Sequence, residues 1–254
     1  MSKACVTAPA AWLFAEPDEK SQTTSQLLYG ETLDILEIKP AWLKVQAARD
    51  HYVGWLRDYT AEPCNCNGDT QTVQVPLAPI YLTPNIKHKP VAALPLNAAV
   101  KASPERFGAK PSFLRLTDGR YIIERHLTPP SAKPNALQIA KQFLGTPYAW
   151  GGRTYDGIDC SGLVQMALWA TGTPCPRDSG DQWENLGRPL AHEESPQAGD
   201  LVFFPGHVGF YAGEETLLHA NATHMCTTLD PLADVIAWVA QEHDNPLKGF
   251  KRLS

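Results

Sequence analysis

The stretch GIDCSGLVQM, Gly157–Met166, sets a cysteine between an aspartate and a serine at what reads as the start of a helix. Downstream, CSGLVQMALWATG places Leu163, Val164, Ala167 and Leu168 on one face and Gly172 at its end. That is the pattern of an amphipathic helix with a stop signal. Asp159 fits the N-cap position. A thiol in the first turn feels the unpaired backbone N–H groups and the positive end of the helix dipole, and both favour the reactive thiolate. Read instead as a small core residue, Cys160 needs no partners at all. Spacing alone leaves both readings open, so the rest of the chain has to supply a base, an orienting group and a pocket.

Two histidines qualify. His207 lies in FFPGHVGFY and His219 in LLHAN, on consecutive strand-like segments with Gly213 midway between them. In a tight hairpin centred there, the two would be near cross-strand neighbours on one face, which suits a base and the group that orients it. Around them, NALQIAKQFLG reads as a helix capped by Asn135 and stopped by Gly145, and GDLVFF, GHVGFYAG and ETLLHAN read as successive strands. Helices first and an antiparallel sheet second make an α+β domain over residues 134–254.

The front half is different in character. The chain has 18 Gly and 22 Pro, with the prolines concentrated before Lys141. Such text gives short strands and turns. ETLDILEI, AWLKVQA and HYVGWLRDY alternate with period two, which predicts a small all-β barrel over 1–62. TVQVPLAPIYLTP and RYIIERHLTPP predict the first and last strands of a second barrel over 69–129. EPCNCNGD and PPSAKP read as linkers.

With 22 Lys plus Arg against 27 Asp plus Glu, the formal charge is -5. No basic excess is present for a nucleic-acid backbone, so no nucleic-acid partner is expected. No run approaches the roughly 18 apolar residues of a membrane span. The start, MSKACVTAPAAWLFAEPDEK, is broken by Pro9 and Pro17 and does not read as a secretory leader. Six cysteines in 254 residues do not make a disulfide scaffold. The expectation is a soluble, cytoplasmic protein. Cys64 and Cys66 lack a second paired motif, so neither a metal nor a cofactor is expected. Cys175, Cys226 and the tryptophans Trp12, Trp42, Trp55 and Trp238 read as packing, and His224 and His243 as surface residues. Asp178 reads as fixing a loop through Arg177.

GTPYAWGGRTYDGIDCSGLVQMAL, PRDSGDQ, AGDLVFFPGHVGFYAG and LLHAN together resemble the NlpC/p60 cysteine peptidases, in order and spacing, over roughly Asn135 to Ser254. The resemblance implies a papain-like core, with Cys160 as nucleophile, His207 as base and His219 as orienter. It also implies that Tyr148 faces the active site, that no metal takes part, and that cell-wall peptides are the substrates. LLYGETLDILEIKPAWLKV with YVGWL resembles a bacterial SH3-like domain. Two such modules before this peptidase domain are similar to the γ-D-glutamyl-L-diamino acid endopeptidases that recycle murein peptides, of the dipeptidyl-peptidase VI kind. Those act on L-Ala-γ-D-Glu-diamino acid peptides with a free N-terminus. A cationic amine entering a partly dry cleft needs polar partners. Asp159 and Ser161, flanking the nucleophile, and Glu31 and Tyr52, in the first barrel, are the candidates. A cell-wall endopeptidase acting on intact peptidoglycan, and an acyltransferase or amidase on the same core, remain as alternatives.

Overall fold

The computed structural model describes residues 2–63, 70–127 and 134–253. The chain divides into two compact units, residues 1–133 and 134–254. Cys64, Cys66 and most of both linkers lie outside the described residues.

The first unit begins with β1 (Lys3–Val6), β2 (Ala10–Phe14), β3 (Thr23–Leu28), β4 (Thr32–Lys39), β5 (Trp42–Ala47), β6 (Val53–Arg57) and β7 (Ala61–Pro63). They form one sheet in the order β3-β2-β6-β5-β4-β1-β7. Residues from both edges, Leu27 on β3 and Ala61 on β7, share one core with Leu13, Leu33, Val45 and Leu56, so the sheet curls on itself. The alternation read in ETLDILEI breaks at a bulge between Ile35 and Glu37, after which Ile38 faces solvent. Cys5 is disulfide-bonded, a pairing that the cysteine spacing did not announce.

The second β region holds β8 (Gln71–Thr72), β9 (Leu77–Tyr81), β10 (Ala92–Pro95), β11 (Ala99–Val100), β12 (Ala102–Phe107), β13 (Phe113–Leu116) and β14 (Tyr121–Ile123). Five of them pair as β10-β9-β14-β13-β12 around Ile80, Leu94, Leu116 and Ile122. The two β regions are one compact unit because Tyr29 packs on this second core. Ala99 N–H also donates to Tyr29 O at 2.8 Å, and the Tyr29 hydroxyl meets Asp118 at 3.3 Å.

The second unit contains α1 (Ala136–Ala140), β15 (Arg153–Thr154), β16 (Gly157–Ile158), α2 (Cys160–Ala170), α3 (Ser179–Asn185), β17 (Arg188–Pro189), β18 (Leu201–Phe204), β19 (His207–Gly213), β20 (Thr216–Asn221), β21 (Cys226–Pro231), α4 (Leu232–Val239) and β22 (Gly249–Arg252). Asn135 and Gln138 form a reciprocal capping box at α1. Ten of the eleven α2 residues, Cys160 to Trp169, are buried. A helix buried on every side is central rather than peripheral, and α2 packs on β19 and β20. The sheet runs β17-β22-β18-β19-β20-β21. The C-terminal strand β22 inserts beside β18, a long-range pairing that four residues, GFKR, give no periodicity to foresee. The polar α3 and the α4 segment were likewise not legible as helices.

The β19–β20 hairpin turns at Glu214 and Glu215, with φ of 51° and 53°, and not at Gly213. Its register pairs Phe210 with Leu218 and Tyr211 with Leu217. Continued outward, it sets Gly209 opposite His219, so the two histidines are diagonal neighbours on the same face. Gly209 is what permits this. A Cβ there would lie 2.9 Å from the His219 Cβ and 2.8 Å from Leu218 O.

Candidate active site

Cys160 is the first residue of α2, and Asp159 is its N-cap, accepting from Gly162 N–H at 2.7 Å. Gly162 has no room for a side chain, because Gly152 O and Asp159 Oδ1 crowd its Cα. The same carboxylate accepts from Gly151 N–H at 2.8 Å. It also takes Arg177 in a bidentate pair, at 3.0 Å to Oδ1 and 2.6 Å to Oδ2. Arg177 further donates to Ser161 Oγ at 2.8 Å. Gln182 on α3 donates to Ser161 O at 2.9 Å. The segment PRDSGDQ is therefore a clamp on the first turn of α2. Its arginine pairs with Asp159 and also feels the charge of Asp178, the exposed residue at the start of α3.

Asp159 is 5% exposed and its oxygens are committed to the helix cap, to Gly151 and to Arg177. Ser161 is 6% exposed and already accepts from Arg177. Glu31 and Tyr52 belong to the first unit. Glu31 is a buried turn residue, not a solvated one, and its carboxylate accepts from Leu28 N–H at 3.2 Å. Tyr52 packs against the core of the first sheet.

The sulfur of Cys160 is approached by the backbone N–H groups of Val208 and Ser161. Val208 follows His207 directly, so the thiol lies under the start of β19. The His207 ring sits between Phe204, at 5.8 Å, and His219, at 5.0 Å between centroids. His207 Nε2 and His219 Nδ1 are 2.7 Å apart. That contact uses His207 Nε2 and leaves Nδ1 outside it. The far side of His219 meets Asp230 on β21, with Nε2 to Oδ2 at 3.0 Å. Sequence reading missed Asp230, and it held Arg177 and Gln182 within PRDSGDQ without joining either to the first turn of α2, because strand register and helix docking alone bring these side chains to the site.

Burial pushes the Cys160 thiol up to about 12, with the charge of Asp159 adding to it. Burial also pulls His207 down to about 3, assisted by His219. The resting pair is thus a neutral thiol beside a neutral imidazole. The helix start alone suggested a resting thiolate, but desolvation outweighs the helix and Arg177 here. Burial raises Tyr148 above the usual phenol range, with Cys160 and Asp159 adding, so its hydroxyl stays protonated. A cavity of about 520 Å³ is bounded by Ser179, Trp183, Phe204, Pro205 and Lys248. Among the described residues, no group of three or more His, Cys, Asp or Glu side chains is placed to hold a metal ion. No helix among them is long and apolar enough to cross a membrane.

Comparison with known proteins gives two family matches. Residues 145–236 match the NlpC/P60 family, and residues 13–58 match the bacterial dipeptidyl-peptidase SH3 domain. The chain is 30% identical to dipeptidyl-peptidase 6 of Lysinibacillus sphaericus, over 86% of this chain and 87% of that protein. It is also 30% identical to a γ-D-glutamyl-L-lysine dipeptidyl-peptidase of Bacillus subtilis, over 84% of this chain and 77% of that one. An NlpC/P60 family protein from Bacillus cereus shares the fold, with a TM-score of 0.80 at 23% identity over 99% of both chains.

The clamp generates a stability prediction. Arg177→Met leaves the Asp159 carboxylate as an unpaired buried charge, which should cost about 3–5 kcal/mol of unfolding free energy. Urea denaturation reads it, and Asp159→Leu added to Arg177→Met should recover part of the loss. A single-variant cost under roughly 1 kcal/mol would mean that the backbone N–H groups alone hold the carboxylate.

Proposed function

Because this chain belongs to the NlpC/P60 family of cysteine peptidases, we propose that Cys160, His207 and His219 hydrolyse the amide between the γ-carboxyl of D-Glu and a diamino acid. The observation that carries this reading is the 2.7 Å contact between His207 Nε2 and His219 Nδ1, formed where the first residue of α2 meets β19. Relatives named γ-D-glutamyl-L-lysine dipeptidyl-peptidase support the bond.

In this mechanism the Cys160 sulfur attacks the γ-carbonyl carbon while its proton passes to His207 Nδ1. Transfer within the pair conserves net charge, so a neutral resting pair in a dry site is not an obstacle. The protonated Tyr148 hydroxyl and the Cys160 backbone N–H at the start of α2 supply donors for the developing oxyanion. His207 then gives the proton to the departing amine, leaving a thioester on Cys160. Water, activated by His207, hydrolyses the thioester and restores the thiol. Cys160→Ala should abolish turnover with the thermal melt near wild type. His219→Ala should lose less activity than His207→Ala, and the reverse order would exchange their roles.

We further propose that the substrate is a small L-Ala-γ-D-Glu-diamino acid peptide with a free amine, released from murein for recycling. Binding that amine replaces its hydration with protein partners, so acetylating it removes charge-assisted contacts. Acetylation should lower kcat/KM by on the order of 10²-fold or more. Equal rates on acetylated peptide, or efficient release from intact sacculi, would establish the wall-endopeptidase alternative instead.

A cytoplasmic location is the recycling reading's corollary, and the disulfide at Cys5 stands against it, since disulfides persist in oxidising compartments. Fractionation of cells quenched in acid, with alkylation before and after reduction, decides it. Recovery in the cytosolic fraction is the expected result. An intact Cys5 disulfide in an extracytoplasmic fraction overturns it.

A further inference from the structure

We infer that Asp230 is a positioning residue that locks His219, and through it His207, in the one tautomer able to deprotonate Cys160. The inference rests on the base and orienter roles assigned above. It concerns a carboxylate two residues removed from the nucleophile along the chain of contacts.

A neutral imidazole has one donor and one acceptor nitrogen. His219 uses both: Nδ1 faces His207 Nε2 at 2.7 Å and Nε2 faces Asp230 Oδ2 at 3.0 Å. A carboxylate only accepts, so it requires the proton on His219 Nε2. His219 Nδ1 is then an acceptor, which requires the proton on His207 Nε2. His207 Nδ1 is left with its lone pair toward the thiol. One fixed acceptor at the far end thus sets the proton positions along the whole row.

The neighbouring amide shows why such a lock matters. Asn221 Oδ1 accepts from His224 N–H at 2.8 Å, which orients the amide. Its Nδ2 donates to Thr228 Oγ1 at 2.7 Å and lies 3.3 Å from His219 Nε2. Without Asp230 that N–H would find a lone pair on Nε2 and favour the opposite tautomer. The proton would then sit on His219 Nδ1, pass the donor role to His219, and place the His207 proton on Nδ1, where no base remains. The Asp230 carboxylate wins by charge and by the shorter distance.

Asp230 is itself held. Thr228 Oγ1, having accepted from Asn221, donates to Asp230 Oδ2 at 2.5 Å. Burial would raise the Asp230 carboxyl, but Thr228 and His219 together hold it below the ordinary range. The titratable groups around His219 are His207 from β19, Asp230 from β21 and His224 from the turn between β20 and β21. The His224 side chain is 42% exposed, meets Asp230 Oδ1 at 3.3 Å and packs its ring on Trp238. The strand pairing makes this arrangement possible, since His219 faces Thr228 and Leu217 faces Asp230 across β20 and β21.

The test compares Asp230→Asn, Thr228→Val and His224→Ala with the wild-type chain. Asp230→Asn can turn an N–H toward His219 Nε2, so kcat should fall by on the order of 10²-fold with KM within about twofold. The acid limb of kcat/KM should move to lower pH, because the histidine pair binds a proton less readily once the nearby negative charge is gone. Two readouts need no substrate. Imidazole ¹⁵N shifts should show His219 Nδ1 unprotonated in the wild type and protonated in Asp230→Asn. Iodoacetamide labelling of Cys160 near neutral pH should slow in parallel. Thr228→Val should shift all four readouts the same way by less, and it carries the test if Asp230→Asn does not fold. His224→Ala should shift them less than Thr228→Val does, because its side chain is exposed and meets the carboxylate oxygen that does not face His219. Wild-type kcat in Asp230→Asn, lost activity with an unchanged tautomer and pH profile, or an equal effect of His224→Ala would each overturn the inference. A tautomer switch without hydrolysis of any murein peptide would sink the substrate reading and leave this one standing.

Discussion

The active site depends on one buried ion pair. Asp159 and Arg177 meet in a bidentate contact with both side chains almost fully enclosed. Such a pair repays its desolvation only when its remaining hydrogen-bonding capacity is used. Here it is used: Asp159 also caps α2 and takes the Gly151 N–H, and Arg177 also holds Ser161. The interaction joins the helix that presents Cys160, the turn before it and the segment leading into α3. The position of the thiol follows from that junction.

Burial has a second consequence. The dryness that strengthens the ion pair also disfavours an isolated thiolate or imidazolium, so Cys160 and His207 rest uncharged. Reactivity then depends on where protons sit and how easily they move between neighbouring atoms, more than on the resting charge of any one group. That places weight on the hydrogen-bonded row from His207 through His219 to Asp230. The row is built across three strands of one sheet, whose register is fixed by hydrophobic residues that face the core.

In the first unit, a curled seven-stranded sheet and a smaller five-stranded one bury separate cores and share Tyr29 at their junction. Their short strands and frequent turns are what a proline-rich, alternating sequence specifies. Glu31 shows the limit of reading such text residue by residue. Its place in a turn suggests solvent, but the fold encloses its carboxylate against the backbone of Leu28.

Sequence alone determined what depends on neighbours within a few residues. The start of α2 at Asp159, its apolar faces, the capping box at Asn135 and the strands around His207 and His219 all follow from local periodicity and capping chemistry. So did the nearness of the two hairpin histidines, because a hairpin keeps its partners close in the chain, whereas Cys160 was joined to them only by the family resemblance. The tertiary structure alone decided the rest. Arg177 reaches Asp159 across 18 residues, and Asp230 reaches His219 across a strand pair. Strand β22 returns to pair beside β18, and a bulged register turns two supposed opposites into diagonal neighbours. These are long-range contacts between polar or short segments. Polar side chains impose no period on the sequence, and their partners are chosen only when the apolar faces around them have packed.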